Sequence, residues 1–183
     1  MTTKLEATIE DLYRVPDHGK AEIVNGELVL MPTTGGVPGR ASGRIYRSLD
    51  DYEQSVGGGY AFPDNVGFIV NLANRCSFSP DACFYKGELR TGLFLEGAPV
   101  FAVEVRSDED YGPSAERRMA AKRDDYFAAG TLVVWYVDVL RKKVVRVYRA
   151  TEPDNPTIYR SGEIAEAEPA LSGWRMVVDE IFR

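Results

Sequence analysis

Short runs of alternating hydrophobic and polar residues cover much of the chain and predict a β-rich fold. Two such runs, residues 21–24 and 27–32, surround Asn25-Gly26, the dipeptide that most strongly indicates a two-residue hairpin turn. They predict an N-terminal β-hairpin. Further strands are expected, in chain order, at about 60–62, 66–70, 78–85, 99–106, 131–139 and 142–150.

Helical signals separate these strands. A short helix is predicted over about 8–14, where Thr8 and Asp11 have the spacing of a capping box. A longer helix has Pro38 in its first turn and ends at three consecutive glycines, 57–59. Its apolar stripe repeats at helical spacing and consists of Ile45, Leu49, Tyr52 and Val56.

A third helix is predicted at about 113–129, ended by Gly130. The tail then holds an Asn-Pro turn at 155–156, a short strand and a closing segment at 174–182. No repeat or linker interrupts these elements, so the chain is expected to form a single domain, 1–183. The predicted fold class is α+β (α/β-like): a mixed β-sheet flanked by helices, with an N-terminal β-hairpin.

The composition is that of an ordinary globular protein, with 44% hydrophobic and 27% charged residues. The longest purely apolar run, 132–137, is far shorter than the about 20 residues that span a membrane. The N-terminus shows no signal-peptide pattern. We therefore expect a cytoplasmic protein without membrane contact.

Histidine and cysteine are too scarce for several common kinds of active site. The single histidine, His18, lies in a turn-forming string, and the two cysteines, Cys76 and Cys83, are expected to be reduced thiols. This scarcity argues against a Ser-His-Asp triad and against a Cys/His zinc site. Carboxylates, lysine and arginine must then carry any chemistry.

Charge is distributed unevenly along the chain. The net charge is −6, yet residues 117–149 hold nine Lys or Arg against three Asp, which gives this region a net charge of +6. The acidic remainder argues against sequence-blind binding of polyanions. The basic region 117–149 could still offer a local site for phosphates while the rest of the chain stays acidic.

Two carboxylates are the first candidates for chemistry. Strand alternation places Asp81 and Cys83 on one face of their strand, and Glu104 and Arg106 on one face of the next. If these strands pair, Asp81 and Glu104 converge, and two such carboxylates can hold Mg²⁺. An acidic group within a β-core must be paired, protonated or bound to a cation. The simpler alternative is therefore a structural ion pair between Glu104 and Arg106 or another basic residue.

Lys122 supplies a third element. On the predicted 113–129 helix it lies three residues after Met119 and four before Tyr126, at the edge of the apolar stripe. A lysine whose stem merely covers apolar surface explains this position equally well. Asp81 is also a weak signal alone, because Pro-Asp recurs at Pro16-Asp17, Pro63-Asp64 and Pro153-Asp154.

The order of these segments resembles the PD-(D/E)XK endonuclease-like superfamily, and within it a bacterial family described as putative restriction endonucleases, long carried as a domain of unknown function. The resemblance covers nearly the whole chain and rests on five ordered motifs: AEIVNGELVLMP, FSPDACFY, VFAVEVRS, KRDDYFAAGTLVVWYVD and LSGWRMVVDEIF. It implies a restriction-endonuclease-like fold that hydrolyses DNA phosphodiesters with a metal ion. Glu22, at the family's recurring acidic position, is implied as a metal-site or supporting residue.

The resemblance implies roles for the other residues as well. Asp81, Glu104 and the main-chain carbonyl of Val105 would hold Mg²⁺, for which Mn²⁺ can substitute. The superfamily lysine normally stands two residues after the acid, where this chain has Arg106, and arginine cannot act as a base. The resemblance therefore assigns the ammonium to Lys122 from the adjacent helix, and Arg106 is expected to contact a phosphate oxygen.

Two other functions remain open from the residues. A catalytically weak or inactive nuclease fold that binds a protein or nucleic acid partner fits the acidic net charge and the acidic run 108–110, where the family often has Ser-Pro. A glycosidase-like hydrolase fits the pair of Asp81 and Glu104 but leaves Lys122 and Arg106 without a role.

Two expectations concern assembly and surface. Cutting both strands of a duplex in one encounter needs two sites, which predicts a homodimer. The strands around Trp135 and Tyr148 are a candidate interface, although the same residues would serve equally well as ordinary core. Arg40, Arg44 and Arg47 share one side of the second helix and could track phosphates. A solvated helix face is the preferred interpretation of that stripe.

Overall fold

The computed structural model describes residues 6–15 and 19–183, so the predicted turn at His18 lies outside the described residues. The helices of the described part are α1 (Ile9–Tyr13), α2 (Gly36–Val56), α3 (Pro113–Ala128) and α4 (Val178–Phe182). Its strands are β1 (Ala21–Val24), β2 (Glu27–Leu30), β3 (Tyr60–Pro63), β4 (Phe68–Ile69), β5 (Ser77–Phe78), β6 (Ala82–Tyr85), β7 (Leu95–Glu96), β8 (Phe101–Val105), β9 (Val133–Asp138), β10 (Val144–Arg149), β11 (Glu152–Tyr159), β12 (Ile164–Glu166) and β13 (Arg175–Val177).

A six-stranded mixed sheet forms the centre of the molecule. Its strand order is β11-β10-β9-β8-β6-β3, with β8 and β9 parallel and the other neighbours antiparallel. The remaining strands form small sheets of two or three strands around it. The predicted α+β class, a mixed sheet flanked by helices, is confirmed.

Helices cover the two sides of this sheet differently. Side chains on one side, including Phe101 and Trp135, join Ile45 and Leu49 of α2 and Ile181 of α4 in the larger apolar core. On the other side the strands present smaller and more polar groups, which pack with residues of α3: Cys83, Ala102, Val134 and Tyr136, with Met119 and Tyr126 from the helix. We call these the α2 side and the α3 side.

The N-terminal hairpin has the predicted register. Asn25 and Gly26 both have positive φ, at 51° and 70°, as a two-residue turn between twisted strands requires. The hairpin then docks on the segment before β5, where the amide of Cys76 donates to the carbonyl of Ile23 at 3.0 Å. This contact brings β1 to the α3 side of the main sheet.

Two predicted strands and one predicted turn differ from the structure. The run 78–85 is divided into β5 and β6, because Pro80 has no N–H to donate and the chain changes sheets there. The strand at 66–70 pairs with β5 and β7 rather than with the main sheet. The Asn-Pro turn at 155–156 lies within β11, an edge strand whose irregular register beside β10 accommodates proline.

Candidate functional site

Three carboxylates line up across neighbouring strands. Asp64 directly follows β3, Asp81 directly precedes β6, and Glu104 lies near the end of β8. Pro63 is paired with Ala82, and Ala82 with Val103, so one further step in each register sets the three carboxylates side by side. Asp81 and Glu104 share the α3 side, as the alternation predicts, because directly opposed residues of antiparallel strands point to the same face.

Helix α3 supplies the partners of Glu104. The Lys122 ammonium lies 2.8 Å from Oε1 of Glu104, and the Tyr126 hydroxyl donates to the same oxygen at 2.7 Å. Lys122 and Tyr126 are one helical turn apart, so both reach the same point. The Lys122 side chain is only 15% exposed, which rules out a lysine that extends along the surface into solvent.

Glu22 holds Lys122 from the opposite direction. Its Oε1 lies 2.9 Å from the Lys122 ammonium and accepts the amide N–H of Ser79 at 2.8 Å. Its Oε2 binds Arg75 at 2.6 Å, and Arg75 also binds Asp125 at 2.8 Å. The docked hairpin therefore places a buried carboxylate behind the lysine.

Asp81 has a different set of partners. Its Oδ2 accepts the amide N–H of Val105 at 2.7 Å, and its Oδ1 lies 2.7 Å from the ammonium of Lys20. Lys20 also contacts Oδ1 of Asp64 at 2.7 Å. The carboxylate row thus carries two lysines, Lys20 between Asp64 and Asp81 and Lys122 between Glu104 and Glu22.

Sequence reasoning missed Lys20 and Arg75 as parts of this site. Each pairs with residues distant along the chain, and such pairing leaves no local periodicity. Asp64 did carry a signal, since it belongs to a Pro-Asp pair, as Asp81 does, and directly follows a strand. That signal becomes informative only when the pairing of β3 with β6 is known.

Burial and neighbouring charges move the ionisation of these groups in opposite directions. Burial raises the pKa of Glu104, Lys122 opposes the shift, and Asp81 adds to it. Burial also disfavours charge on Glu22, but Lys122 and Arg75 outweigh it and lower the pKa of that carboxyl. Burial disfavours the Lys122 ammonium too, yet Glu104 and Glu22 outweigh it and raise the pKa of Lys122. Lys122 is therefore a stable cation between two carboxyl groups of unequal acidity.

Two neighbouring groups of ion pairs, one around Lys20 and one around Lys122, together form an ion-pair network with a charge imbalance. Its carboxylates are Glu22, Asp64, Asp81, Glu104 and Asp125, and its cations are Lys20, Arg75 and Lys122. With every group ionised, the five carboxylates and three cations give the network a net charge of −2. Oxygen donors with a surplus of two negative charges are the chemistry that a hard divalent cation such as Mg²⁺ requires.

The donor set also limits how such an ion could bind. Within the described residues, no group of three or more His, Cys, Asp or Glu side chains is arranged to hold a metal ion. Asp81 and Glu104 can therefore supply two carboxylates at most. Mg²⁺ usually binds through one or two carboxylates and keeps several waters, so the residues present fit that ion.

The sequence profile of the family described as "Uma2: Putative restriction endonuclease" matches residues 8–179. The chain belongs to the Uma2 family. It is similar to a crystal structure from Anabaena variabilis ATCC 29413 described as a "putative nuclease belonging to DUF820", with a TM-score of 0.75 and 15% sequence identity. The alignment covers 96% of this chain and 97% of that one, which shows a shared fold. No curated protein matches the chain.

Arg106 makes its contacts away from the carboxylate row of this Uma2 protein. Its guanidinium is ion-paired with Glu116 and donates to the carbonyl of Asp110, and its side chain is 2% exposed. It also stacks on the Tyr111 ring, 4.7 Å from the ring centre. The donors of Arg106 are directed to Glu116 and to the loop before α3 rather than to the carboxylate row, and its phosphate contact stays a prediction. Glu104 forms its ion pair with another basic residue, Lys122, and not with Arg106.

The acidic run 108–110 and the basic region 117–149 are also partly committed to structure. Asp110 accepts the amide N–H and the hydroxyl of Ser107 at 2.8 Å, so it shapes the loop after β8. Arg123 is buried over the Tyr148 ring, at 4.4 Å, and Arg149 is ion-paired with Glu166. Fewer of the nine cations in region 117–149 are therefore exposed to a ligand than the net charge of the region suggests.

The structure bears on two other surface expectations. Trp135 is fully buried and Tyr148 lies beneath Arg123, so the strand surfaces around them do not offer the expected dimer interface. The arginine stripe of α2 belongs to a helix on the α2 side, away from the carboxylates, and Arg44 donates to the carbonyl of Ile181.

No helix in the described part of the chain is long and apolar enough to cross a membrane.

Proposed function

We propose that this Uma2 protein is a Mg²⁺-dependent nuclease that hydrolyses DNA phosphodiester bonds. The observation that carries the proposal is the pair of Asp81 and Glu104 on adjacent strands, with Lys122 ion-paired to Glu104 at 2.8 Å. The description of the family and that of the similar structure from Anabaena variabilis support the same class of reaction.

Asp81, Glu104 and the carbonyl of Val105 are the groups that would hold the ion. When bound, Mg²⁺ would orient the attacking water and neutralise charge that develops on the phosphate. The amide of the same residue, Val105, fixes Oδ2 of Asp81 at 2.7 Å. This hydrogen bond holds the Asp81 carboxylate against the end of β8, and so keeps it beside Glu104.

Lys122 then has a role as a cation. Because Glu104 and Glu22 raise its pKa, its ammonium stays protonated and donates hydrogen bonds rather than accepting a proton. We infer that it holds the attacking water or a non-bridging phosphate oxygen. In the reaction, the water oxygen would bond to phosphorus and release a proton to solvent, the bond from phosphorus to the ester oxygen would break, and that oxygen would take a proton from solvent.

The DNA backbone is expected to approach over α3. Arg117 and Arg118 are exposed on this helix, and Lys142 and Lys143 are exposed in the turn between β9 and β10. These four cations belong to the basic region 117–149. They offer phosphate contacts on one part of a surface that is otherwise acidic. DNA would therefore be confined to that part.

Cleavage of a labelled DNA duplex tests the proposal. Wild-type protein with Mg²⁺ is expected to cut the duplex, and EDTA should abolish cutting. Asp81→Asn and Glu104→Gln should each lower the rate by at least about 100-fold, since each removes a charged metal ligand but keeps the side-chain shape. Asp154→Asn is the matched control, because it alters another Pro-Asp carboxylate that is 88% exposed.

The outcome that would contradict the proposal is cleavage that persists in EDTA or is equally fast in wild type and Glu104→Gln. A second candidate is a nuclease-fold module that binds a partner without cutting it. The observation in its favour is that both oxygens of Asp81 already have protein partners. Binding of DNA without cleavage, at any concentration of Mg²⁺ or Mn²⁺, would favour that module.

We also propose that the protein acts as a homodimer, because one site cuts one strand of a duplex. Light scattering over a concentration series is the direct test. A mass that stays near the 20.3 kDa of one chain at tens of micromolar would contradict the dimer and indicate a nicking enzyme.

A further inference from the structure

The ammonium of Lys20 lies at the carboxylate row, where a metal ion bound by these carboxylates would be expected to lie. Its ammonium is 2.7 Å from Oδ1 of Asp81 and 2.7 Å from Oδ1 of Asp64, and its side chain is 12% exposed. Asp81, Glu104 and Asp64 all attract this ammonium. The cation therefore sits between the carboxylates that would bind a metal ion.

We infer that Lys20 is an internal counter-ion that occupies Asp81 and is displaced onto Asp64 when a divalent ion binds. This inference rests on the proposed function, because it takes Asp81 as a metal ligand. It adds a competitor to that site, and the competitor is part of the chain itself.

The two oxygens of Asp81 differ in how easily they can be freed. Oδ2 accepts the backbone amide of Val105, which continues the pairing of β6 with β8 and cannot leave without opening the edge of the sheet. Oδ1 binds only the end of a flexible side chain among the contacts described for it. Oδ1 is therefore the oxygen that an entering ion can claim.

Asp64 gives Lys20 a place to go. It is already 2.7 Å from the ammonium, so release from Asp81 keeps one ion pair intact. The Asp64 side chain is 35% exposed, which leaves room for the lysine end to shift toward solvent. The displacement then costs one contact, and the negative charge of Asp64 prevents Lys20 from being left unpaired.

Lys122 shows why the two lysines should respond differently. Its second partner, Glu22, is 3% exposed and is itself fixed by Arg75 and by the amide of Ser79. Lys122 is therefore held in the wall of the site. Lys20, whose second partner is at the surface, is the lysine that can move.

Titration calorimetry with Mn²⁺ tests the inference in four variants besides wild type. Lys20→Gln is expected to bind Mn²⁺ about tenfold more tightly, because the competing charge is gone. Lys20→Arg keeps the charge and should bind no more tightly than wild type. Lys142→Gln, which removes an exposed lysine, is the control and should match wild type. Asp64→Asn should weaken binding several-fold, since it removes the alternative partner.

A double variant separates displacement from general electrostatics. If Asp64 acts by receiving Lys20, then Asp64→Asn should change Mn²⁺ affinity much less in the Lys20→Gln background than in wild type. Thermal melts in EDTA and in Mn²⁺ give a second readout. Lys20→Gln should melt lower than wild type in EDTA and should gain more from Mn²⁺. Lys20→Met replaces it if the glutamine variant does not fold.

The outcomes distinguish this inference from the proposed function. If wild type and Lys20→Gln bind Mn²⁺ with equal affinity and Asp81→Asn does not bind it, the inference that Lys20 is a displaced counter-ion is overturned. The proposed metal site at Asp81 is then retained. The same holds if Lys20→Arg binds as tightly as Lys20→Gln. No Mn²⁺ binding by any variant overturns both.

Discussion

The two sides of the central sheet are built from different chemistry. On the α2 side, Phe101, Trp135 and Trp174 pack with ring centres 5.0–5.4 Å apart and exclude water. On the α3 side the same strands carry Cys83 and Glu104, and the helix adds Lys122 and Tyr126. Neighbouring residues of β8 therefore point to an apolar core and to an ion-pair network.

The difference assigns most of the stability to the α2 side and the proposed chemistry to the α3 side. Burial of aromatic surface contributes directly to stability. When paired charges are buried, the free energy lost by removing them from water offsets much of their mutual attraction. The α3 side keeps a carboxyl group, Glu104, whose pKa burial raises. Such a group is retained at a cost in stability, which is typical of functional sites.

Trp135→Ala should give the largest effect on stability. The side chain is fully buried, and its Nε1–H donates to the carbonyl of Glu166 at 3.1 Å. Its removal leaves a cavity and should lower the free energy of unfolding by about 3–5 kcal/mol. Urea denaturation measures the loss, and Val177→Ala, at a position that is 36% exposed, is the control.

The same variant tests whether the two sides are independent. The folded fraction of Trp135→Ala should bind Mn²⁺ as wild type does, since the cavity lies on the α2 side. A large loss of Mn²⁺ affinity in folded Trp135→Ala would contradict the division of roles. Trp135→Phe serves the same purpose at a smaller loss of stability.

Glu22 and Glu104 should respond to pH in opposite directions, although they bind the same lysine. The pKa of Glu22 is lowered from its ordinary value of 4.5, so its contribution to stability is present above pH 4.5 and is lost as the pH falls through the lowered pKa. The pKa of Glu104 is raised, so its contribution is present below pH 4.5 and is lost as the pH rises through the raised pKa.

Denaturation in EDTA between pH 3 and 8 measures both effects. Glu22→Gln should destabilise the protein most at neutral pH and should flatten the acid limb of the stability curve. Glu104→Gln should cost less at neutral pH than Glu22→Gln. A larger cost for Glu104→Gln at pH 7 would mean that Glu104, too, is held mainly for stability.

Tyr126→Phe should have the smallest effect. It removes the hydroxyl that donates to Glu104 at 2.7 Å and keeps the ring, which stacks on Phe78 at 4.0 Å. Loss of one hydrogen bond to a charged group should cost about 1.5–3 kcal/mol of stability. Urea denaturation checks this, and Tyr159→Phe, which removes a longer bond to Glu166 at 3.2 Å, is the control. No difference between the two would show that the Glu104 contact is not special.

Local signals predicted the elements that local chemistry determines. Asn25-Gly26 fixed the hairpin turn, and Gly130 ended the third helix, because each acts within a few residues. The prediction of one continuous strand over 78–85 was wrong, because periodicity does not show that the chain leaves one sheet for another at Pro80. The prolines of β11 suggested a turn, since the sequence does not show that the strand lies at an edge.

The candidate site could be predicted only in part for the same reason. Asp81, Glu104 and Lys122 were accessible because strand alternation and helical spacing place them. Lys20 and Arg75 were not, because their partners lie 44 to 61 residues away or depend on where the hairpin docks. Arg106 was misplaced because the alternation that groups it with Glu104 ends with the strand.

A crystal soaked in Mn²⁺ tests the central claim most directly. The anomalous difference map should show one ion bound by carboxylate oxygens of both Asp81 and Glu104, at about 2 Å from each. Lys20 should have left Asp81 for Asp64, and Lys122 should remain on Glu22. An ion bound elsewhere, or no ion at saturating Mn²⁺ with Lys20 still on Asp81, would contradict the account of this network as a metal-dependent nuclease site.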